Sequence, residues 1–242
     1  MLLRQIPAAL ALALLLGFPA GAGEMRQNPV AVLELFTSQG CSSCPAADAL
    51  LTEVSKKREI IALAYHVDYW DYIGWPDTFG AAANSDHQRS YAQRWGSSRI
   101  FTPQLVVNGS EGVVGSRRQE VDIAIQNAAL DVPIELDAHG DMLKIEIGPK
   151  PGLGEAVVWL VTFIDRADVE IERGENRGKT FAYTQIVTGR QVLGMWEPAT
   201  GAQLKLPLSE VLGDTANGAA ILVQEDRNGL PGRIIGAASF VQ

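Results

Sequence analysis

The sequence predicts an α/β domain followed by an all-β domain, and two changes of pattern along the chain predict this order. Between residues 30 and 67, an apolar run, a helical segment and a second apolar run follow each other, which is typical of a βαβ unit with parallel strands. After Pro133, short segments alternate apolar and polar residues between Gly, Asn and Asp turns, which is typical of antiparallel strands. We therefore expect two domains, residues 23–131 and 132–242.

The first 22 residues have the pattern of a signal peptide rather than that of a folded element. Arg4 supplies a positive charge, residues 8–18 form an apolar run too short to span a membrane, and residues 20–22 offer a cleavage site of small side chains. We therefore predict that residues 1–22 are removed, that the mature chain begins near Gly23, and that the protein is periplasmic or secreted.

The charge and the hydropathy of the chain exclude some classes of function. The net charge is −8, and the loss of Arg4 with the signal peptide takes it to about −9. Nucleic acid is not an expected partner, because binding to phosphate requires a basic face. After the signal peptide, no segment reaches the ~18 uninterrupted apolar residues of a transmembrane helix, so we expect no integral membrane segment.

The predicted first domain places a Cys-x-x-Cys motif between a strand and a helix. An apolar stripe with helical spacing predicts the helix over residues 46–57. Asn108-Gly109 is a strong signal for a hairpin turn. The predicted elements are, in chain order, a strand at 30–37, a helix at 46–57, a strand at 60–67, an aromatic irregular segment at 68–76, a helix at 86–95, a hairpin at 102–115 and a helix at 117–130.

The predicted second domain consists of short strands without helices. About seven such strands, separated by turn residues, favour a β-sandwich. The candidate strands are residues 134–138, 143–147, 156–164, 180–187, 204–208, 219–224 and 234–240.

Cys41 and Cys44 are the two cysteines of the sequence and the strongest functional signal in it. They lie where the first predicted strand gives way to a helix, and a helix N-terminus favours a thiolate over a thiol. We therefore predict thiol–disulfide exchange, with Cys41 as the more exposed nucleophile and Cys44 as the resolving thiol. The alternatives are a small structural disulfide or a vestigial site in a fold that is reused for binding.

Several segments of the sequence resemble a known family. The order of strand, Cys-x-x-Cys-Pro, helix and a later Thr-Pro before a strand resembles the thioredoxin superfamily. In more detail, residues 34–48, 65–71, 102–104 and 174–179 look like the exported bacterial family called domain of unknown function 1223. The resemblance implies a thioredoxin-like α/β domain followed by a β-rich, sandwich-like domain, and by itself it implies no function.

The resemblance also implies roles for two residues near the cysteines. In the thioredoxin fold a cis-proline precedes the strand that faces the cysteines, and Pro103 matches that place, where its backbone pairs with a substrate chain. Thioredoxins carry a buried acid at about the position of Glu34, which implies a carboxyl of raised pKa that exchanges a proton with Cys44. The alternative for Glu34 is an exposed or salt-bridged side chain at a sheet edge.

Aromatic and polar residues follow the second predicted strand, whose end should lie beside the cysteines in an open α/β sheet. We expect Trp70, Tyr72 and Trp75, together with Thr102, to contact a substrate or partner, or else the three aromatic side chains belong to the core. His66 is in position to stabilise a thiolate or to bind a metal. Alternatively, His66 is a partly buried histidine with satisfied hydrogen bonds.

These observations predict an extracytoplasmic thiol–disulfide oxidoreductase that needs no cofactor and acts on a protein or a small thiol, with a homodimer as one possible assembly. Two alternatives remain open. The cysteines with His66 or His87, and less favourably His139, form a chemically sensible copper or zinc site. A thioredoxin-fold interaction module without catalysis is the second alternative. The substrate and the direction of electron transfer are not specified by the sequence.

Overall fold

The structure is a computed structural model and describes residues 24–242. The predicted signal peptide and the predicted mature start at Gly23 lie outside the described residues. Within residues 24–242 the chain forms a large sheet of nine strands, a small sheet of three strands and four α-helices. The elements of the first part are β1 (Glu24–Gln27), β2 (Ala31–Thr37), α1 (Pro45–Val54), β3 (Ile60–His66), α2 (Ala82–Arg94), β4 (Gln104–Val107), β5 (Glu111–Val114) and α3 (Arg118–Gln126).

The second part of the chain contains all seven of the strands predicted after Pro133, and several are longer than predicted. The expectation that this part lacks helices is wrong, because the apolar side chains of Leu208, Val211 and Leu212 are buried on one side of a short helix. The elements are β6 (Ile134–His139), β7 (Met142–Ile147), β8 (Ala156–Glu170), β9 (Thr180–Trp196), β10 (Ala202–Pro207), α4 (Leu208–Leu212), β11 (Gly218–Asp226) and β12 (Pro231–Val241).

No helix in the described part of the chain is both long enough and apolar enough to cross a membrane.

The βαβ unit forms as predicted. β2 and β3 pair in parallel from Ala31 with Ile60 to Thr37 with His66, and every residue of both strands is buried. Helix α1 starts at a proline, which is tolerated there because the first helical N–H has no partner within the helix. Its apolar stripe packs on the face of β2 that carries Leu33 and Leu35.

The large sheet runs through both of the predicted domains. Its strand order is β1-β12-β11-β8-β9-β3-β2-β4-β5, so strands from the second part of the chain lie beside strands from the first. The two parts join in two places: β3 and β9 pair in parallel at Ala64 and Ile186, and β1 pairs antiparallel with β12. The predicted domain boundary at residues 131–133 lies between α3 and β6, and the sheet continues across it.

The small sheet, in the order β10-β7-β6, covers one face of the C-terminal strands of the large sheet. Alternate residues of β6 and β7 point into the interface between the two sheets, as the period of a strand requires. The fully buried Trp196 fills part of this interface, and its indole nitrogen donates a hydrogen bond to the carbonyl of Gly148. The side chains from the small sheet are Ile134, Leu136, Leu143, Ile145 and Ile147.

The hairpin turn between β4 and β5 ties the two parts of the chain together. The Asn108 side chain accepts a hydrogen bond from the backbone N–H of Val32 and donates to the carbonyls of Val30 and Ala129. The Asn108 carbonyl accepts a hydrogen bond from the N–H of Ile234 in β12. The predicted turn is therefore present, and it also contacts the opposite end of the sequence.

Gly109→Ala should destabilise the protein more than Gly140→Ala, although both glycines have a positive φ of about 60°. A methyl group in this left-handed region costs about 1–2 kcal/mol at either site. At Gly109 the added Cβ would also lie 2.4 Å from the carbonyl oxygen of Gly232, whereas nothing lies within 4 Å at Gly140. We expect this clash to add roughly 1–3 kcal/mol. Urea denaturation measures both values, and equal losses would contradict the docking of the turn on β12.

Candidate functional site

Cys41 and Cys44 form a disulfide at the junction between β2 and α1. Their Cα atoms are 5.4 Å apart, and the N–H of Cys44 donates a hydrogen bond to the carbonyl of Cys41. Cys44 immediately precedes α1, and its carbonyl accepts the hydrogen bonds of Ala47 and Asp48 in the first helical turn. The predicted position of the motif at a helix N-terminus is therefore confirmed.

Both cysteines are buried, so exposure does not distinguish Cys41 from Cys44 in the way that was expected. The exposed fraction is 1% for Cys41 and 0% for Cys44, while Ser42 and Ser43 between them are exposed. The covering contacts come from distant parts of the chain, which the local sequence does not reveal. Both cysteines are therefore shielded from solvent in this structure.

The segment before Cys41 is held from one side by the loop that follows β3. The backbone N–H of Gln39 donates to the carboxylate of Asp77 at 2.7 Å. The side-chain oxygen of Gln39 accepts hydrogen bonds from the indole N–H of Trp75 and from the backbone N–H of Thr78. Trp75, predicted to contact a substrate, therefore lies next to the motif, and its indole N–H is engaged within the protein.

Trp70 and Thr102 lie beside the motif on a second side. The peptide bond between Thr102 and Pro103 is cis, as the resemblance implied. The indole N–H of Trp70 donates to the hydroxyl of Thr102 at 2.7 Å. A Cβ at Gly40 would lie 3.3 Å from the Cβ of Trp70, so this tryptophan packs directly on the backbone that precedes Cys41. The structure thus brings together Trp70, Thr102 and the cysteine segment.

Next to this pair, Tyr72 is the most exposed large apolar side chain of the described chain, at 80%. Its ring stacks on Trp70, with the ring centroids 6.5 Å apart. The two rings form an aromatic platform at the surface, close to the disulfide.

The loop between β8 and β9, residues 171–179, holds the cysteine segment from a third side, and we call it the hairpin tip. Asn176 is buried, with an exposed fraction of 1%. Its side-chain amide donates to the carbonyls of Gln39 and Cys41, at 2.9 and 3.2 Å. Sequence reasoning assigned the segment 174–179 to the family resemblance but had no signal for this contact.

Glu34 lies in the interior of the large sheet, on the face opposite α1. Leu33 and Leu35 pack on α1, whereas Glu34 points with Val32 and Phe36 toward α2. Its carboxylate accepts hydrogen bonds from His87 Nε2 at 2.9 Å and from the Tyr91 hydroxyl at 2.5 Å. Glu34 is therefore neither exposed nor at a sheet edge.

The expectation that the pKa of Glu34 is raised is wrong. Burial opposes its ionisation, but the hydrogen bond and charge of His87, the hydrogen bond from Tyr91 and the positive charge of Arg190 outweigh that effect and lower the pKa. Burial and the charge of Arg190 lower the pKa of His87, and the hydrogen bond and charge of Glu34 oppose them. This carboxylate is a stable anion in a closed network, which makes it a poor proton carrier.

Asp48 is a buried acid that sequence reasoning missed. It lies four residues after Cys44, hence on the same face of α1, and its N–H bonds to the Cys44 carbonyl at 3.1 Å. The Thr37 hydroxyl donates to its carboxyl at 2.7 Å. Burial raises its pKa to about 7, assisted by the negative charge of Asp77 and opposed by His66 and the Thr37 hydrogen bond.

His66, the last residue of β3, is fully buried next to this acid. Its Nδ1 donates to Asp77 at 2.7 Å, and its ring meets the rings of Phe79 and Tyr183 edge-on. Its Nε2 has no hydrogen-bond partner. His66 is thus more buried than expected, and only one of its two ring nitrogens has a hydrogen-bond partner. The other nitrogen lies in the interior near Asp48.

The structure gives no support to the predicted metal alternative. Among residues 24–242, no group of three or more His, Cys, Asp or Glu side chains is arranged to hold a metal ion. The two cysteines are joined to each other, and His87 is bound to Glu34. His66 donates to Asp77, so neither histidine is combined with the sulfurs.

Fold and site together define a class: a sheet-dominated α/β protein with a buried Cys-x-x-Cys disulfide at a strand–helix junction. The chain belongs to the family described as "Protein of unknown function (DUF1223)", whose sequence model matches residues 32–224. The resemblance to this family is therefore confirmed.

A solved structure supports the same fold. The crystal structure of a protein from Agrobacterium tumefaciens has a TM-score of 0.79 and 33% sequence identity with this chain. The match covers 88% of this chain and 95% of that one. No curated protein matches this chain.

Asp48→Asn should change how stability depends on pH. The pKa of this carboxyl is about 7 in the folded protein against an ordinary value of 3.8, so the folded state binds the proton more tightly than the unfolded state. Its contribution to the free energy of unfolding is complete below about pH 3.8 and is lost as the pH rises through about 7. Because asparagine stays neutral, the free energy of unfolding of the variant relative to that of wild type should rise by up to roughly 4 kcal/mol between about pH 4 and pH 8.

Urea denaturation at several pH values measures this difference. Asp214→Asn is the matched control, because Asp214 is exposed. The control should follow the wild-type curve throughout. Parallel curves for wild type and Asp48→Asn would show that Asp48 is ionised in the folded state and would contradict the raised pKa.

Proposed function

We propose that this protein is an extracytoplasmic thiol–disulfide oxidoreductase with a thioredoxin-like N-terminal part, in which Cys41 and Cys44 exchange two electrons with a partner. The observation that carries this proposal is the combination of the disulfide with an adjacent buried acid, Asp48, whose pKa is close to neutrality. The signal-peptide pattern of residues 1–22 supports export to a compartment where disulfides persist. The partner is a protein or small molecule that carries a thiol or a disulfide.

The reduced protein reacts with a substrate disulfide in two steps. The Cys41 thiolate attacks one substrate sulfur, the substrate S–S bond breaks, and the other substrate sulfur leaves as a thiolate. The Cys44 thiol then loses its proton and attacks the Cys41 sulfur of the mixed disulfide. This second step releases the remaining substrate thiolate and forms the Cys41–Cys44 disulfide present in this structure. The protein loses two electrons and the substrate gains two, and the reverse sequence oxidises a dithiol.

We assign the transfer of the Cys44 proton to Asp48 in place of Glu34. It lies one helical turn beyond Cys44, and a pKa near 7 lets it both accept and return a proton at neutral pH. Glu34 lies on the opposite face of the large sheet and stays ionised in its hydrogen bonds with His87 and Tyr91. The nearby Thr37 hydroxyl orients the Asp48 carboxyl.

The surface around the cis-peptide bond is the substrate side of the site in this proposal. Thr102 precedes the cis-proline and accepts a hydrogen bond from Trp70, whose ring stacks on the exposed Tyr72 to form the aromatic platform. Aromatic side chains contribute strongly to binding of polypeptides, because they bury a large area with few rotatable bonds. Trp75 contributes indirectly, through its hydrogen bond to Gln39.

The burial of both sulfurs favours a second candidate, in which the disulfide is structural. The two candidates differ in the redox equilibrium of the purified mature protein with glutathione. A catalytic pair should give a reversible two-electron couple in the range of known exchange proteins, about −120 to −270 mV. A pair that is reduced only below about −300 mV would be a structural disulfide and would contradict the enzymatic proposal.

Substitution of single cysteines tests the assigned order of attack. Cys44→Ser should accumulate a mixed disulfide through Cys41 with a substrate or with glutathione, because the resolving thiol is missing. Cys41→Ser, which is the matched control, should trap at least tenfold less. Mass spectrometry after acid quenching measures both adducts. A reversed ratio would make Cys44 the nucleophile, and the absence of an adduct from both variants would contradict exchange at this site.

A further inference from the structure

The hairpin tip contacts the backbone beside the disulfide, and most of the tip is exposed. Residues 172–175 and 177–179 are exposed, and the loop is closed by backbone hydrogen bonds between Ile171 and both Gly178 and Lys179. Only Ile171 and Asn176 of the tip are buried. A segment with few buried contacts opens at a lower free energy than the sheet to which it is attached.

Asn176 is the polar contact between the hairpin tip and the cysteine segment. Its amide nitrogen donates to the carbonyls of Gln39 and Cys41, which flank Gly40 immediately before the disulfide. Its side-chain oxygen accepts a hydrogen bond from Lys179 Nζ at 3.1 Å, within the tip itself. One side chain therefore joins an exposed loop to the backbone of the reactive segment.

The other neighbours of the disulfide are less able to move. Asp77 and Gln39 are both buried and bonded to each other, and Trp70 packs against the backbone at Gly40. Cys44 belongs to the first turn of α1, which is packed on the large sheet. An approaching thiolate needs access to a sulfur. Displacement of the hairpin tip breaks the two hydrogen bonds from Asn176 and the close packing of Gly174 on Trp75.

We propose that Asn176 is a specificity-determining residue that keeps the hairpin tip closed over the Cys41–Cys44 disulfide, so that the disulfide reacts only when the tip is displaced. The biological use of this gate rests on the proposed function, but the gate itself does not. A small thiol reacts only during spontaneous opening. A polypeptide partner that binds the open state holds the tip away, and this favours polypeptides as substrates.

The rate at which dithiothreitol reduces the disulfide measures how often the hairpin tip is displaced. One thiolate of the reagent attacks a protein sulfur, the Cys41–Cys44 bond breaks, and the other cysteine leaves as a thiolate. The second thiol of the reagent loses its proton and attacks the resulting mixed disulfide. The reagent becomes a cyclic disulfide, and the protein gains two electrons and ends as a dithiol. The observed rate of reduction is then the fraction of molecules in which the tip is displaced, multiplied by the intrinsic rate at which the accessible disulfide is reduced.

Asn176→Asp is the variant that tests the gate most directly. It preserves the shape of the side chain and the acceptor for Lys179, but it replaces the amide donor to Gln39 and Cys41 with an oxygen that repels their carbonyls. The loss of two hydrogen bonds should raise the reduction rate by dithiothreitol on the order of tenfold or more. Glu175→Gln is the matched control, an equally small change on an exposed residue of the same loop, and its rate should equal that of wild type.

The dependence of the rate on urea separates a gate from general destabilisation. Local opening exposes little surface, so the faster rate of Asn176→Asp should stay nearly constant at urea concentrations well below the unfolding transition. A rate that rises with urea along the global unfolding curve would overturn the proposal. Equal rates for Asn176→Asp and Glu175→Gln would overturn it as well. Asn176→Ala repeats the test without an added charge if the aspartate variant fails to fold.

Failure of the proposed gate is distinguishable from failure of the proposed function. Dithiothreitol reduces any accessible disulfide, whatever its biological role, so the rate reports the gate alone. The equilibrium with glutathione reports the redox couple alone. If the disulfide is structural but shielded by the hairpin tip, dithiothreitol would therefore reduce Asn176→Asp faster than wild type, while the reduction potential of the disulfide would be very low.

Discussion

The buried backbone of residues 38–41 is the constraint on which the site depends. Buried N–H and C=O groups require partners, and a loop outside the sheet ladder cannot find them in its neighbours alone. Here the partners are side chains from far along the chain: Asp77 accepts from the N–H of Gln39, and Asn176, 137 positions after Gln39, donates to its carbonyl. The geometry at Cys41 is therefore completed only when the C-terminal hairpin of β8 and β9 has folded onto α1.

Two buried acids close to the same strand have opposite electrostatic behaviour. Glu34 accepts two side-chain hydrogen bonds and lies near the charge of Arg190, so its charged form is favoured despite burial. Burial favours the neutral form of Asp48, and the single side-chain hydrogen bond from Thr37 and the nearby His66 do not offset it, while Asp77 adds to it. Burial opposes ionisation of both acids, and the donors and nearby charges decide whether it prevails.

The sequence was sufficient for most of the elements, though not for β1 or α4, and insufficient for the contacts between them. Apolar periodicity predicted β2, α1 and β3 to within a few residues, and the resemblance predicted the cis bond before Pro103. The burial of both cysteines and the lowered pKa of Glu34 were not predicted, because they depend on residues that lie far away in the chain, such as Asn176 and His87. Asp48 had a local signal, a carboxyl on the apolar side of α1, which a search for apolar residues alone overlooks.

The continuity of the large sheet has a consequence for any attempt to dissect the protein. A cut at residues 131–133 would separate β3 from β9 and β1 from β12, and these strands would then lie at new edges of the sheet. Exposed edges of this kind pair with other chains and lead to aggregation. The N-terminal fragment would keep both cysteines but lose the amide of Asn176 that binds beside them. The smallest unit that reproduces the environment of the disulfide is therefore the chain with both of its halves.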